Sequence, residues 1–598
     1  MLRTAKRIRP LGVGSAVSAA PGQPRAFAVR PVPVIRSSSS SSRRAARVSA
    51  ALLVAASPLL ATTATAEPVP DHPALGAVFP LGDHSAPKTG YRELIPGVTY
   101  RVFNQGSASD VWTVWVRFDD GQEVTTAESA ATAHAAKLRA AEFGDVRVVP
   151  VNSPATADTY AQTFYGVHVG SYTTAAEAKA LQAELQAKGF TDSRVLYTAE
   201  TDPDSRGPWQ IRVITVRPDA KVDLRAEHGA NVSGSETVRQ LSAAAGALAA
   251  VNGTEFDIDS TSNTHFMGHE GVPQGLYMKS NVLLGAPNNG RTALLLNAVG
   301  GHRITEVKSR TWITAPDGST RDVDGINRVA GQILGCGGVG DDFRKTASLG
   351  NVPRLDPWRN GTCYDPNEIV VFRPEWGADT PAPAEEWGDT PVTEVVMNGS
   401  WDVLYLRKAP GPIPAGGRVL QGIGKGGEWL KGLKTGDRVT SRTSVTDMAG
   451  TPVTASALAA FGAGTPALMR NGQVWLNPAA NGMAHVACVL PAPAAGCRPS
   501  GILTARHPRT LAGISAEGHL MLVTIDGRNP QASVGVTLPE AARVMEWLGA
   551  RDAVGLGSGG DTTLMVENSL YNRPWDQWTD TAARERAVSN AVVVVKRP

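Results

Sequence analysis

The sequence is poor in aromatic residues, 6% of the chain, and has four cysteines, Cys336, Cys363, Cys488 and Cys497. The cysteine spacings fit no zinc ribbon. Beyond residue 66 no window approaches the run of about 18 apolar residues that a membrane-spanning helix needs. The first 66 residues lack Asp and Glu altogether but hold ten Lys or Arg. The formal charge of +3 therefore misleads: the remainder carries 48 basic and 55 acidic residues, a net of −7. A mildly acidic body has no general electrostatic attraction for nucleic acid. Glycine and proline are plentiful, 62 and 41 among 598 residues, and 42% of the chain is hydrophobic. That composition excludes a collagen-like or disordered protein. It supplies core for about two to four domains.

Residues 1–66 read as a targeting segment. A serine run, Ser37 to Ser42, leads into Arg43-Arg44 and then an apolar stretch from Ala50 to Ala61. Ala64-Thr65-Ala66 follows, a small-x-small cleavage site before Glu67. This is the order of a secretory signal, and it implies a secreted or cell-wall-associated protein, free of the membrane after cleavage. An even cysteine count agrees with export and with disulfides, for which three connectivities exist. Cys336–Cys363 and Cys488–Cys497 are favoured because each closes a short loop rich in Gly, Pro or Asp. Residues 67–107 read as a linker or extended arm.

Residues 108–205 repeat one pattern twice. A β-like run, Val111 to Phe118, precedes a helical stretch opened by Thr125 and Glu128 at capping-box spacing and closed by Gly144. A strand at Val146 to Val151 and another at Phe164 to Val169 follow. Thr174 and Glu177 repeat the box, Gly189 stops the helix, and a strand begins at Arg194. The order predicts a βαββαβ sheet with two helices on one face, the first helix about one turn longer. Val167-His168-Val169-Gly170-Ser171-Tyr172 with Gly189-Phe190 resembles the SPOR family. The resemblance implies binding of peptidoglycan or another cell-wall glycan. Its candidates on the open sheet face are Trp112, Trp115, Tyr165 and His168; the alternative places these side chains in the core.

From Gly207 to Pro598 short β-like runs alternate with turn residues, predicting a large, mostly antiparallel α+β domain with insertions around 300–500. Helical stretches are few: Val238 to Ala250, and Pro539 to Leu548 behind a Thr537 cap. Four clusters carry chemistry. Asn252-Gly253 is a turn followed closely by Glu255 and Asp257. Asp324 to Arg328 precedes Cys336 and Asp341-Asp342. Arg506-His507-Pro508-Arg509 precedes a strand, and Asp526-Gly527-Arg528 ends the next. An arginine fork there suits a phosphate. Gly555 to Thr563 is a glycine run that lets backbone approach a ligand. It is neither a Walker loop nor a GxSxG elbow.

Together these stretches resemble the phosphodiester glycosidases, a family of N-acetylglucosamine-1-phosphodiester α-N-acetylglucosaminidase-like and exopolysaccharide-associated proteins. The matching residues are 250–257, 506–510, 523–528, Leu538-Pro539-Glu540, Gly559-Gly560 with Thr562-Thr563, and Arg586 to Ala591. The resemblance implies a hydrolase acting on a sugar-1-phosphodiester. Arg506, Arg509 and Arg528 would grip phosphate; Asp526 or Asp257 would be the base; Asn252, Gly559, Gly560, Thr562 and Thr563 would shape the pocket. The family pattern Asn-x-Asp-Gly-Gly-Gly-Ser-Thr-Thr is altered here. Gly555 stands for the Asn, Gly557 for the Asp, Ser558 for the first Gly and Asp561 for the Ser. Asp561 is the candidate to replace the missing carboxylate. No cofactor is implied, and Ca²⁺ or Mg²⁺ on the carboxylates stays open. The alternative is a catalytically degenerate glycan-binding protein.

Overall fold

The apolar run Trp209–Val216 sits inside an eight-stranded antiparallel sheet. Its neighbours are Val98–Gln105 and Lys88–Ile95 on one side; Leu520–Ile525, Arg509–Ser515, Ala550–Ser558, Ala467–Arg470 and Gln473–Val474 follow on the other. The computed structural model describes residues 70–258, 267–298, 300–334, 343–346, 350–353, 362–384, 390–455, 458–484, 486–489, 497 and 500–598. Both faces of the sheet are covered, which is why Ile211 to Val216 reads as nearly continuous apolar sequence rather than as clean alternation. On one face Ile214, Leu522, Ala512 and Val554 meet Val251, Leu564, Val592 and Leu224 of a second, five-stranded sheet. On the other, Val213, Val523 and Leu511 pack under helix Leu538–Trp547. That helix has the expected Thr537 cap, closed reciprocally by Glu540.

The stretch expected to be a linker folds. Lys88–Ile95 and Val98–Gln105 form a hairpin on the edge of the large sheet, and the arm before it lies against Trp547 and Gly549. The helix expected over 238–250 is shorter: Gly246, at φ +60°, ends Val238–Ala245. Ala249–Asn252 is then recruited as a strand between Leu564–Val566 and Ala591–Lys596. An Ala-Ala-Val-Asn run carries little strand signal of its own; its two partners decide it.

The βαββαβ order is as expected, with strands Trp112–Val116, Val146–Ser153, Gln162–Tyr172 and Ser193–Tyr197 and helices Glu128–Ala140 and Ala175–Ala187. The two helices are the same length, 13 residues each. The Thr174–Glu177 box forms. The Thr125–Glu128 box does not, because the Thr125 backbone is paired with Tyr165. The sheet has no open aromatic face. Trp112 packs with the two helices. Trp115, Phe164 and Leu196 on the opposite face pack under Ala487, Cys488 and Cys497. His168, 2% exposed, lies edge-on to Trp115 at 4.9 Å, and Tyr165 is half-buried. Burial and the cations Arg147 and Arg194 push His168 down to about 3, so it is neutral. The glycan-facing positions expected for Trp112, Trp115 and His168 are therefore interior ones.

Between residues 301 and 447 a long antiparallel ribbon and a five-stranded sheet are added to this core, with their own apolar cluster. Cys488–Cys497 is bonded as expected. Cys363 is also disulfide-bonded; Cys336 lies outside the described residues. No helix among the described residues is long and apolar enough to cross a membrane.

Candidate functional site

Antiparallel register brings three strand ends together. Arg509 pairs with Ile525 on one side and with Ser558 on the other. Asn252 closes its strand nearby and joins them: its Oδ1 accepts from Thr510 Oγ1 at 2.6 Å and from Thr563 N at 3.2 Å, and its Nδ2 donates to Gly557 O at 2.8 Å. Asn252 is thus a staple behind the glycine run rather than a ligand-facing group. Asn590 does the same one step away, bonding both the backbone and the hydroxyl of Thr254.

After Ser558 the chain makes a short 3₁₀ turn, Gly559–Asp561. Glycine lets charged side chains close on the backbone here. A Cβ on Gly560 would lie 2.7 Å from the Arg586 guanidinium carbon and from Asp576 Oδ1; one on Gly559, at φ +71°, would lie 3.3 Å from Arg528 Nη1. Arg528 itself holds a left-handed φ of 56°, an uncommon conformation for a residue other than glycine and one that clusters at functional sites.

Two acids meet at this turn. Glu255 Oε1 accepts from Ser558 N and Oγ at 3.1 and 3.0 Å. Its carboxyl is set among protein atoms and faces Asp561, which together push it up to about 7. Asp561 is 1% exposed. Burial pushes it up to about 6, against the pull of Arg586, which donates to Oδ1 at 2.8 Å. Asp561 Oδ2 and the hydroxyls of Thr562 and Thr563 are buried with no hydrogen-bond partner among the described residues. A Cβ on Gly557 would lie 3.1 Å from Asp561 Oδ2. The carboxylate moved along the sequence to position 561 therefore returns in space to the start of a residue-557 side chain.

Two testable consequences follow from this packing. Gly557→Ala places its methyl 2.9 Å from Asn252 Nδ2 and 3.1 Å from the Thr254 carbonyl, and is expected to cost about 1–3 kcal/mol in urea unfolding. An unchanged midpoint would mean that the staple has slack. The Glu255 carboxyl keeps its proton to higher pH in the folded state than in the unfolded chain. Between about 4.5 and about 7 the folded form thus binds more protons, and Glu255's contribution to stability falls as pH rises. Glu255→Gln is expected to flatten that part of the stability–pH curve.

The arginines divide by role. Arg506 is spent on structure: it forks onto Glu540 at 2.9 and 2.5 Å and donates to the carbonyls of Ala199 and Asp202. Arg509 is buried, donates to the carbonyls of Val536 and Ile502, and has no ion pair among the described residues. Burial lowers it to about 9, still a cation at neutral pH, with Glu255 as its favourable neighbour. Arg528 donates to His507 Nδ1 at 3.0 Å and to the Asp576 carbonyl. His507 is neutral, held down by burial and by Arg509, Arg528 and Arg194. Arg586 spans Asp561 and Asp576.

Two carboxylates expected in catalysis are used elsewhere. Asp526 accepts from Arg212 Nη1 at 2.6 Å, Asn572 Nδ2 at 3.1 Å and Arg573 N at 3.2 Å, so both oxygens are held inside the protein. Asp257 accepts from Met267 N at 2.7 Å and Gln274 Nε2 at 3.1 Å, pinning the segment that follows it. Asp576 is the site residue that the sequence motifs leave out, whereas Glu255, Ser558 and Arg586 stand inside them without an assigned role. Glu255 stood within four residues of the Asn252 turn, and Arg586 began the last matching stretch. No group of three His, Cys, Asp or Glu able to hold a metal occurs among the described residues.

Residues 392–595 match the phosphodiester glycosidase family. That span holds Arg509, Arg528, Asp561 and Arg586; Glu255 lies before it. The whole fold is similar to the crystal structure of a protein from Burkholderia pseudomallei K96243 described as a candidate exported protein. Identity is 26%, the TM-score is 0.71, and 87% of this chain and 99% of that one are covered. A hypothetical protein from Synechocystis matches at 17% identity and TM-score 0.45, over 86% of this chain and 80% of that one. The zebrafish N-acetylglucosamine-1-phosphodiester α-N-acetylglucosaminidase catalytic domain, auto-inhibited by its pro-peptide, matches at 12% and 0.28, over 65% and 78%. No curated protein matches.

Proposed function

We propose that the protein is an exported hydrolase that cleaves a sugar-1-phosphodiester, with Glu255 and Asp561 as its reacting carboxyls. The observation that carries the reading is this acid pair, set against Arg528 and Arg586 at a glycine turn inside the region of family similarity. Two interacting carboxyls share a proton over a stretch of pH, so one stays ionised beside a protonated neighbour. Water attacks the anomeric carbon, and its proton passes to the ionised carboxylate. The bond from that carbon to the phosphate oxygen breaks, and its electron pair leaves with the phosphate monoester. Such a leaving group needs little protonation; the arginines balance its charge. With Asp561 as base, the rate rises as pH climbs through about 6.

Export is supported by the signal-like residues 1–66 and by the description of the Burkholderia relative. The glycan-binding reading requires an accessible aromatic face, and Trp115 and His168 are 2% exposed. The hydrolase reading is therefore favoured. The test is incubation of the purified protein with a panel of sugar-1-phosphodiesters, N-acetylglucosamine-1-phosphate esters included. Free sugar is expected from the wild type and not from Asp561→Asn. Glycan-strand binding with no turnover on any ester would instead support the degenerate protein.

A further inference from the structure

Asp576 lies against the two arginines of the glycine turn. Its Oδ1 contacts Arg586 Nη2 and lies 3.7 Å from Arg528 Nη1. Arg586 and Arg528 are the two arginines that lie against Gly560 and Gly559. The Asp576 side chain is 43% exposed, whereas Asp561, on the inner side of Arg586, is 1% exposed. A cavity of about 670 Å³ opens beside it, lined by Ile258, Asp576, Asp580, Arg584 and Arg586 among others. The loop carrying Asp576 is fixed at both ends. Arg573 N is bonded to Asp526, and Ala587–Val588 pairs with Glu236–Thr237. Between them it is held locally: Asp580 accepts from the backbone of Asp576 and Gln577.

We propose that Asp576, through its carboxylate on Arg586 and its main-chain carbonyl on Arg528, is a built-in occupant of an anion seat formed by these two arginines, and that a phosphodiester binds by displacing it. This rests on the reading of the site as one for a sugar phosphodiester. A carboxylate and a phosphate offer the same oxygen geometry to a guanidinium, and the phosphate accepts from both arginines at once. Asp576 keeps the two cations oriented while the site is empty of substrate. It also charges each binding event the strength of its own half-exposed contact. A counter-ion that only oriented the arginines would have the opposite effect on removal, since the guanidinium groups would then splay apart.

The test is titration calorimetry with inorganic phosphate on the full protein. Asp576→Asn, which keeps size and removes charge, is expected to bind phosphate up to about fivefold more tightly than wild type, the share that such an exposed pair withholds. Arg586→Gln in the same background is expected to abolish the gain, which locates it at the seat. Asp580→Ala loosens the loop without touching the arginines and is expected to tighten phosphate in the same direction. Equal or weaker binding by Asp576→Asn, or no phosphate binding by any variant, overturns the proposal. Tighter phosphate with no sugar-phosphodiester turnover by any protein leaves the anion seat standing and removes the hydrolase reading.

Discussion

Asp561→Asn is expected to lower kcat on a sugar-1-phosphodiester by about 10²- to 10⁴-fold, the range for loss of a positioned acid or base. The substitution keeps the size of the side chain and an acceptor for Arg586 at Oδ1. What it removes is the carboxylate function of Oδ2, which has no hydrogen-bond partner among the described residues. Folding is therefore expected to survive, as circular dichroism and a thermal melt would show. Glu255→Gln is expected to fall into the same range, and the double variant to be little worse than either single one, because members of one reacting unit do not add. The acid limb of the wild-type profile, near pH 6, is expected to vanish in Asp561→Asn. A near-normal kcat in that variant, with sugar still released, would assign the base to another group.

Asp526→Ala is expected to act on the fold. Arg212 is 9% exposed and Asp526 2% exposed, at 2.6 Å. Removing one partner of a buried ion pair leaves an uncompensated charge and costs about 3–5 kcal/mol. The loss is larger in kind than that of the pair itself, because Asn572 Nδ2 and Arg573 N also lose their acceptor. Arg573 begins the loop that carries Asp576, so activity is expected to fall as well, through position. Urea unfolding separates the two: a large drop in midpoint with residual kcat supports an anchoring role. A fully stable, fully inactive Asp526→Ala would return Asp526 to the chemistry.

Much of the architecture is legible in the sequence because it is local. Thr174 with Glu177, and Thr537 with Glu540, are caps written within four residues, and both form. The βαββαβ order follows from alternating strand and helix patterns, each decided within about a dozen residues. The Thr125–Glu128 box fails for a non-local reason: Tyr165, forty residues on, takes the Thr125 backbone into a bridge.

Burial and partner choice are not local, and the site turns on both. Trp115 reads as a candidate for an open face until the segment bearing Ala487 and Cys488, more than 300 residues away, packs against it, and His168 is buried beside Trp115. Arg506 and Arg509, three apart in sequence, have opposite surroundings, one forked onto Glu540 and the other without an ion pair among the described residues. Asp526 stands at a promising strand end, yet Arg212 from the neighbouring strand takes it.

By itself, the sequence determined the locally capped helices and the βαββαβ order, the family-like motifs and the set of charged residues from which a site is drawn. Only the tertiary structure decided which of these stay available. A carboxylate's role depends on what lies within a few ångströms of it, and close neighbours in space are set by sheet register between distant segments. Asp561 shows the difference most plainly. In the sequence it is a carboxylate four residues out of place; in the fold its Oδ2 lies 3.1 Å from a Cβ at position 557.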